Sequence, residues 1–383
     1  MPYDLIVVGA GPAGSSAAHA AATAGADVLL LDRAKFPRYK TCGGGLIGPT
    51  LANLPAGFQV PSRADIHRAT VTLAGGRWTD RHSDRRLIAL VNRAEFDAAL
   101  VDSAKKAGAH VQQGVTVTGI EQPSGPDAHS DTGTVTLTTS EGPLTASYVI
   151  GADGSASRIA RHVGVTADTV DLGLEVELET GAQSARWESR VHLDWGTDPG
   201  TYGWVFPKGD TLTVGVIQSR GHAAATRAYL ARFIHELGLS SLRELRSSGH
   251  LTRTRAAGSP LSRGRVLVAG DAAGLLEPWT REGISYAVRS GKLAGSAVGR
   301  NINDPLRVRM AYDHAVGVDL VPEMAAGRLA LRAFERSPAI MHQVVARTRR
   351  GWGEFERLTS GETTLARELE RRPIRWGLQA IAR

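Results

Sequence analysis

The chain has 383 residues, 42% hydrophobic and 22% charged, with a formal net charge of +7. That length exceeds what one core usually organises and that balance excludes a disordered or fibrous chain, so two joined domains around a buried site are expected. A single cysteine, Cys42, excludes an intramolecular disulfide, and no run of about 18 apolar residues marks a membrane span, so a cytoplasmic location is expected.

Tyr3 to Val8 is an apolar run ending at Gly9-Ala10-Gly11-Pro12-Ala13-Gly14, the order strand, tight turn, helix. Glycines there permit the turn, admit a pyrophosphate to the backbone and let the helix pack closely on the strand, while the helix amino end offers free amides to the anion. Ser15 to Ala24 favours helix, Gly25 stops it, and Asp27 to Leu31 reads as the second strand. Asp32 then stands where a carboxylate accepts ribose hydroxyls and repels a 2′-phosphate. A dinucleotide site around Gly9, Gly11, Gly14 and Asp32 is expected.

Further along, Val91-Asn92-Arg93 precedes a helix around Phe96 to Ala107 and brings a guanidinium within reach of phosphate or ribityl oxygens. After the strand end Tyr148-Val149-Ile150 comes Gly151-Ala152-Asp153-Gly154-Ser155-Ala156-Ser157-Arg158. Asp153 caps the next helix, contacts a cofactor, or does both. From Val170 to Gln218 the pattern alternates as strands do, and Tyr202, Trp204 and Phe206 share one face. Pro207-Lys208-Gly209-Asp210 marks a turn and Thr211 to Ile217 the returning strand. The aromatic face implies either a pocket wall or ordinary core packing.

Val266 to Gly274 delivers Asp271 from a buried strand to a position suited to ribityl hydroxyls. A helix starting near Glu282-Gly283-Ile284 aims its amino end where a reduced flavin carries negative charge, so FAD is the expected nucleotide. From Val321 to Arg383, 12 arginines face 7 glutamates, a net +5. Such a tail presents solvated helix faces or attracts anionic lipid or a diphosphate. It reads as helical, interrupted at Gly351, Gly353 and Gly361, with Pro373 near its end, and it either closes the pocket or rests on a membrane. With no recognition motif or aromatic platform, nucleic acid is not an expected partner. No metal is expected.

Taken together over Tyr3 to Gly291, these motifs resemble the geranylgeranyl reductase family, within the para-hydroxybenzoate hydroxylase-like FAD enzymes. Pro37-Arg38-Tyr39-Lys40-Thr41-Cys42-Gly43-Gly44-Gly45-Leu46 discriminates most, because geranylgeranyl reductases carry a similar basic, cysteine and glycine run beside the flavin and hydroxylases generally lack it. The implied fold is α/β: a Rossmann-type FAD-binding domain, a mixed antiparallel-sheet substrate domain and a C-terminal helical tail. The expected division is 1–62, 88–165 and 255–320 for the FAD domain, 63–87 and 166–254 for the substrate domain, and 321–383 for the helical region.

By resemblance, cofactor contacts extend to Ala13, Arg33, Lys40, Cys42, Gly43, Gly45, Arg93, Val117, Asp153, Asp271, Gly283 and Ile284. Tyr202, Trp204, Phe206 and Trp279 become pocket-lining candidates, with Arg281 or Lys208 to anchor a diphosphate head group. One departure stands out: where the family often has Pro-x-x-Gly-Glu-Gly, this chain has Pro278-Trp279-Thr280-Arg281-Glu282-Gly283. An altered loop conformation or substrate entrance is expected there.

The implied reaction reduces isolated C=C bonds of a geranylgeranyl-type or polyprenyl quinone substrate by hydride transfer from reduced FAD. Cys42 is the candidate proton donor, or only packs beside the flavin. No second glycine fingerprint marks a stable NAD(P)H domain, so NAD(P)H docking transiently and a ferredoxin-like electron-transfer protein are both compatible donors. Peripheral membrane contact suits an apolar prenyl substrate. The same fold also supports an FAD monooxygenase acting on an aromatic or polyketide-type substrate. Halogenation is faintly suggested by Tyr202 to Pro207, but no lysine occurs between Lys40 and Lys105, where halogenases place theirs. A flavin-bearing isoprenoid carrier that relays electrons to a partner is the non-catalytic alternative.

Overall fold

The computed structural model describes residues 2–122, 133–196 and 198–382. The initial apolar run becomes the strand Tyr3–Val8, which pairs in parallel with Val28–Asp32 on one side and Gly142–Gly151 on the other. His110–Gln113 and Val266–Val268 continue the parallel layer outward. Leu5 to Val8, Val28 to Leu31 and Val266 to Val268 are buried throughout. Such uninterrupted apolar strands require cover on both faces of the sheet.

Part of that cover is a helix pair whose closeness only glycine allows. On the helix Ile284–Arg300, a Cβ at Gly291 would stand 2.0 Å from the Ala13 carbonyl oxygen and one at Gly295 2.1 Å from that of Ala17. Their four-residue spacing places them on one stripe. They press against the helix Pro12–Thr23 backbone to backbone, and the contacts advance in the same direction along both helices.

A second sheet has seven strands in the order Glu244–Arg255, Ala167–Glu179, Thr211–Ser219, Tyr202–Pro207, Arg190–Trp195, Arg68–Leu73 and Arg77–His82. All neighbours are antiparallel except Arg190–Trp195 with Arg68–Leu73. The aromatic hairpin forms, with Trp204 opposite Gly215 and Tyr202 opposite Ile217. Val176, Val205, Val214 and Val216 turn to one side and pack with Tyr229 and Phe233 of the helix Ala223–Glu236. Tyr202, Trp204 and Phe206 therefore face the other side, as alternation demands.

Gly45–Leu46, Ile88–Val91 and Ser62–Ile66 form a small third sheet, so the last of these strands crosses the expected division at residue 62. The tail is helical, but Gly351 and Gly353 do not interrupt it; both lie inside the helix Arg349–Ser360. A Cβ on Gly351 would meet the Val344 carbonyl oxygen at 1.9 Å, so that glycine serves a close crossing. Gly361 does end the helix, in the left-handed conformation at φ 80°. Pro373 opens the helix Arg372–Ile381, where its missing N–H costs no bond. Among the described residues no helix is long and apolar enough to cross a membrane.

Candidate functional site

The glycine turn has no room for side chains. Gly9 adopts φ 98° and a Cβ there would lie 2.4 Å from the Ala152 carbonyl oxygen; on Gly14 it would lie 1.7 Å from that of Gly9. Gly11, just before the helix, supplies no side-chain cap, so the first-turn amides around Ala13 face outward. Asp32 is fixed by the turn itself, its Oδ2 accepting the Ala10 N–H at 2.7 Å and its Oδ1 the Ala34 N–H at 2.8 Å. Arg38 stands over the turn, since a Cβ on Gly11 would be 3.6 Å from its Nη2. Crowded glycines, uncapped amides and an overhanging guanidinium form the donor set that a dinucleotide diphosphate needs, and the residues present fit FAD. Arg33 is exposed, and Val117 packs in the core of the parallel sheet.

Asp153 caps the helix Arg158–Val163, its Oδ2 accepting the Arg158 N–H at 2.9 Å, while the Ser157 hydroxyl accepts the Ala160 N–H at 2.7 Å. Arg93 donates to both carboxylate oxygens of Asp97, at 2.8 and 2.9 Å, and Arg38 Nη1 lies 3.0 Å from the same carboxylate. The Arg93 side chain lies beside Cys42, and the Gly44 N–H donates to Cys42 Sγ at 3.4 Å. Cβ atoms on Gly43 and Gly45 would meet the Phe206 ring at 2.9 and 3.3 Å. The missing side chains let this loop lie flat against the aromatic strand, with Cys42 at the cavity.

Burial, and then the charge of Arg93, lowers the pKa of Lys40. Burial acts to raise Asp271, but the nearby His250 ring and the Lys40 charge hold it below the ordinary carboxylate range. His250 Nε2 lies 3.5 Å from Asp271 Oδ2. An ionised acceptor is what ribityl hydroxyls require.

A cavity of about 410 Å³ is lined on one side by the Cys42 loop and on another by the seven-stranded sheet. Strand register orders its roof. One row reads Ser248, Glu175, Gly215, Trp204, Leu193, and the next His250, Gly173, Ile217, Tyr202, Trp195. The roof is thus polar near Glu175 and His250 and aromatic near Trp204 and Tyr202. A Cβ on Gly215 would come 2.2 Å from the Trp204 indole, so its absence lets the ring lie across the strand. Phe355, Leu358 and Leu365 of the tail line the same cavity. Gly283 and Ile284 line it as well.

The loop at the family departure is held from both sides. Trp279 packs on Trp195 and Phe334, with ring centroids 6.4 and 6.1 Å apart. Arg281 adopts the left-handed φ of 54° that glycine takes without strain. Its Nη1 donates to the Trp279 carbonyl at 2.8 Å and its Nε lies 3.3 Å from Asp171 Oδ2, both side chains of the pair being buried. Lys208 is also buried, with Nζ 3.5 Å from the Cys42 carbonyl oxygen.

Arg281→Gly should therefore destabilise the chain by about 2 kcal/mol. Relief of about 1 kcal/mol of left-handed strain is outweighed by about 3 kcal/mol from the unpaired buried carboxylate. Urea denaturation of this variant and of Arg281→Gly with Asp171→Asn tests it, because the double variant should recover most of the loss. Wild-type stability in the single variant would show that the pair contributes nothing.

Burial raises Glu282 to about 7; the Ser285 N–H, which donates to it at 2.7 Å, opposes that shift and the Glu277 charge adds to it. The folded chain then holds this proton more tightly than the unfolded chain, so the stabilisation is full below about 4.5 and lost as pH rises through about 7. In flavin-free protein Glu282→Gln should flatten that part of the stability curve, measured by denaturant midpoints across pH; an unchanged slope would assign it to another group.

The sequence motifs did not single out Asp97, Asp171 or Glu175. Asp97 carried a signal in its i,i+4 spacing from Arg93. Asp171 and Glu175 carried one in lying on the same strand face as Gly173, although their partners come from distant segments.

Residues 2–303 match the FAD binding domain family. The chain is similar to geranylgeranyl diphosphate reductase of Rhodobacter capsulatus, at 32% identity over 316 residues, covering 78% of this chain and 75% of that one. It is also similar to digeranylgeranylglycerophospholipid reductase of Methanocaldococcus jannaschii, at 30% identity over 313 residues and 78% of each chain. Among solved structures it resembles a geranylgeranyl bacteriochlorophyll reductase-like protein of Thermoplasma acidophilum, with a TM-score of 0.79 and 22% identity, covering 96% of this chain and 98% of that one. A flavin-dependent brominase matches with a TM-score of 0.75 and 17% identity, covering 99% of this chain and all (100%) of that one. At such identities the solved structures share the fold alone, and one fold hosts several chemistries.

Proposed function

This chain belongs to the FAD binding domain family and, within it, to the geranylgeranyl reductase type of FAD-dependent oxidoreductase, and on that premise we propose that it saturates isolated C=C bonds of a prenyl chain, of geranylgeranyl or polyprenyl quinone type. The supporting observation is the cavity roof, polar beside Cys42 and aromatic near Trp204 and Tyr202, in a cavity that the tail also lines. Bound FAD would supply the hydride. The chain's own residues bind, orient and keep water out.

In this reading Gly9, Gly11, Ala13 and Gly14 with Arg38 hold the diphosphate, Asp32 the ribose and Asp271 the ribityl hydroxyls. The amides of Gly283 and Ile284 would stabilise negative charge on the reduced ring. Tyr202, Trp204, Phe206 and Trp279 receive the apolar chain, each buried methylene contributing about 0.8 kcal/mol. Arg281, engaged by Asp171, shapes the loop rather than binding a head group. Electrons come from NAD(P)H or a ferredoxin-like protein, whichever bleaches the bound flavin anaerobically.

Anaerobic incubation of reduced holoenzyme with geranylgeranyl diphosphate should add two hydrogens per saturated bond, read by mass spectrometry. Gain of oxygen from air on an aromatic substrate would establish the monooxygenase instead, and no product from either substrate class would leave the carrier. Contact with a lipid surface is part of the same proposal, because Trp376 is 59% exposed on the basic helix that carries Arg372 and Arg375. Flotation with anionic vesicles should weaken on Trp376→Ala with Arg372→Glu; equal flotation of the two proteins would remove this surface.

A further inference from the structure

Glu175 is a carboxyl on the cavity face of the strand Ala167–Glu179, only 2% exposed yet part of the cavity lining. Its Oε1 accepts the Cys42 N–H at 2.8 Å and the Tyr39 hydroxyl at 3.1 Å. Tyr39 in turn lies 2.8 Å from the Ser248 hydroxyl, across the sheet from Glu175, and the Arg246 guanidinium sits 4.1 Å above its ring. Both described hydrogen bonds fall on Oε1, which leaves Oε2 to carry a transferable proton. Cys42 Sγ, by contrast, receives the N–H of Gly44, a contact in which sulfur accepts.

We propose that Glu175 is the acid of the reaction, protonating one alkene carbon while hydride reaches the other, and that the same carboxyl positions Cys42. This rests on the reductase reading. As the alkene π bond breaks, one new C–H bond forms with hydride from reduced flavin and the second with the proton of Glu175. The alkene gains two electrons, reduced flavin loses two, and Glu175 is left as a carboxylate. The Cys42 N–H, the Tyr39 hydroxyl and the nearby Lys208 ammonium stabilise that product, and solvent restores the proton through Tyr39 and Ser248.

The charge environment agrees. Burial raises the Glu175 carboxyl most, while Lys208, the Cys42 N–H and the Tyr39 hydroxyl oppose that and Glu177, on the same strand, adds to it. Burial keeps Lys208 below its ordinary range, against the pull of Cys42, Glu175 and Glu177.

Glu175→Gln keeps an acceptor oxygen for Cys42 and Tyr39 but has no proton to give. Flavin binding and KM for the prenyl substrate should stay within about two-fold of wild type, with kcat lower by about 100-fold or more. Tyr39→Phe removes a donor to the carboxylate, so the basic limb of kcat should move to higher pH. A readout free of turnover is the infrared carboxylic-acid C=O band of the flavin-free full chain: a band lost in Glu175→Gln should persist in wild type above the ordinary glutamate range. Wild-type kcat in Glu175→Gln, or a band that titrates as ordinary glutamate, overturns the proposal. If Glu175→Gln does not fold, an unshifted limb in Tyr39→Phe overturns it. Wild type that leaves prenyl chains unreduced overturns the reductase reading and the acid with it, whereas reduction by wild type and Glu175→Gln alike overturns the acid alone.

Discussion

Gly14→Ala is expected to yield a chain that fails to retain FAD and unfolds well before the wild type. The new Cβ would sit 1.7 Å from the Gly9 carbonyl oxygen and 2.9 Å from its carbon, a backbone neighbour with no rotamer to give way. That backbone is pinned by the Gly9 N–H donating to Leu31 at 2.7 Å and the Ala152 N–H donating to Val8 at 2.8 Å. Overpacking with a yielding neighbour costs about 1–3 kcal/mol, and a fixed one puts this site at or above about 3 kcal/mol. Relief by shifting the helix start would carry its amides away from the diphosphate, raising Kd for FAD by about 100-fold or more, equivalent to about 2.7 kcal/mol. Flavin fluorescence titration and thermal denaturation read the two effects separately. An alanine variant that purifies with a full complement of FAD would show that the turn has slack.

Asp97→Ala is expected to weaken stability and cofactor binding together, although its carboxylate lies beneath the two arginines. Its fully buried side chain joins Arg93, 9% exposed, to Arg38, 19% exposed. Deleting one member of a buried ion pair costs about 3–5 kcal/mol, and the partial exposure of Arg38 places this case near about 3 kcal/mol. Arg38 would then lose its fixed place over Gly11, and Arg93 its place against Cys42. Asp97→Asn keeps the shape and one acceptor oxygen, so it should recover part of both losses. Denaturant midpoints and FAD titration of the two variants decide the point; Asp97→Ala with wild-type FAD affinity would show that the arginines hold their positions unaided.

Local rules of the chain made the nucleotide half legible. Apolar runs, a glycine turn and a terminal acid are contiguous in sequence, so Tyr3 to Asp32 could be read as strand, helix and strand before any tertiary contact was known. Tyr202, Trp204 and Phe206 were assigned to one face by strand period alone, and that face lines the cavity. What escaped the sequence depends on contacts between distant segments. Glu175 meets Tyr39 and Cys42 across more than a hundred residues, and no periodicity reports such a meeting. Arg281 takes a left-handed φ of 54°, held by the Trp279 carbonyl and by Asp171, a partner more than a hundred residues away in the chain. Gly351 and Gly353 show the opposite case: glycine signals a break locally, while Gly351 sits inside a helix because it crosses close to the Val344 backbone.

The glycine stripe at Gly291 and Gly295 has a metric consequence. Because Gly291 and Gly295 meet the backbone atoms of Ala13 and Ala17, the closest approach of the two helices is set by backbone rather than by side chains that could repack. On the proposed reading, the amino end that would face a diphosphate and the amino end that would face a flavin ring therefore belong to one frame. An adenosine fragment and a flavin fragment would meet that frame already at its final spacing, and joining them as FAD turns the second contact into an intramolecular event. Substitutions along the cavity can retune which chain is bound while leaving the length of cofactor that fits unchanged.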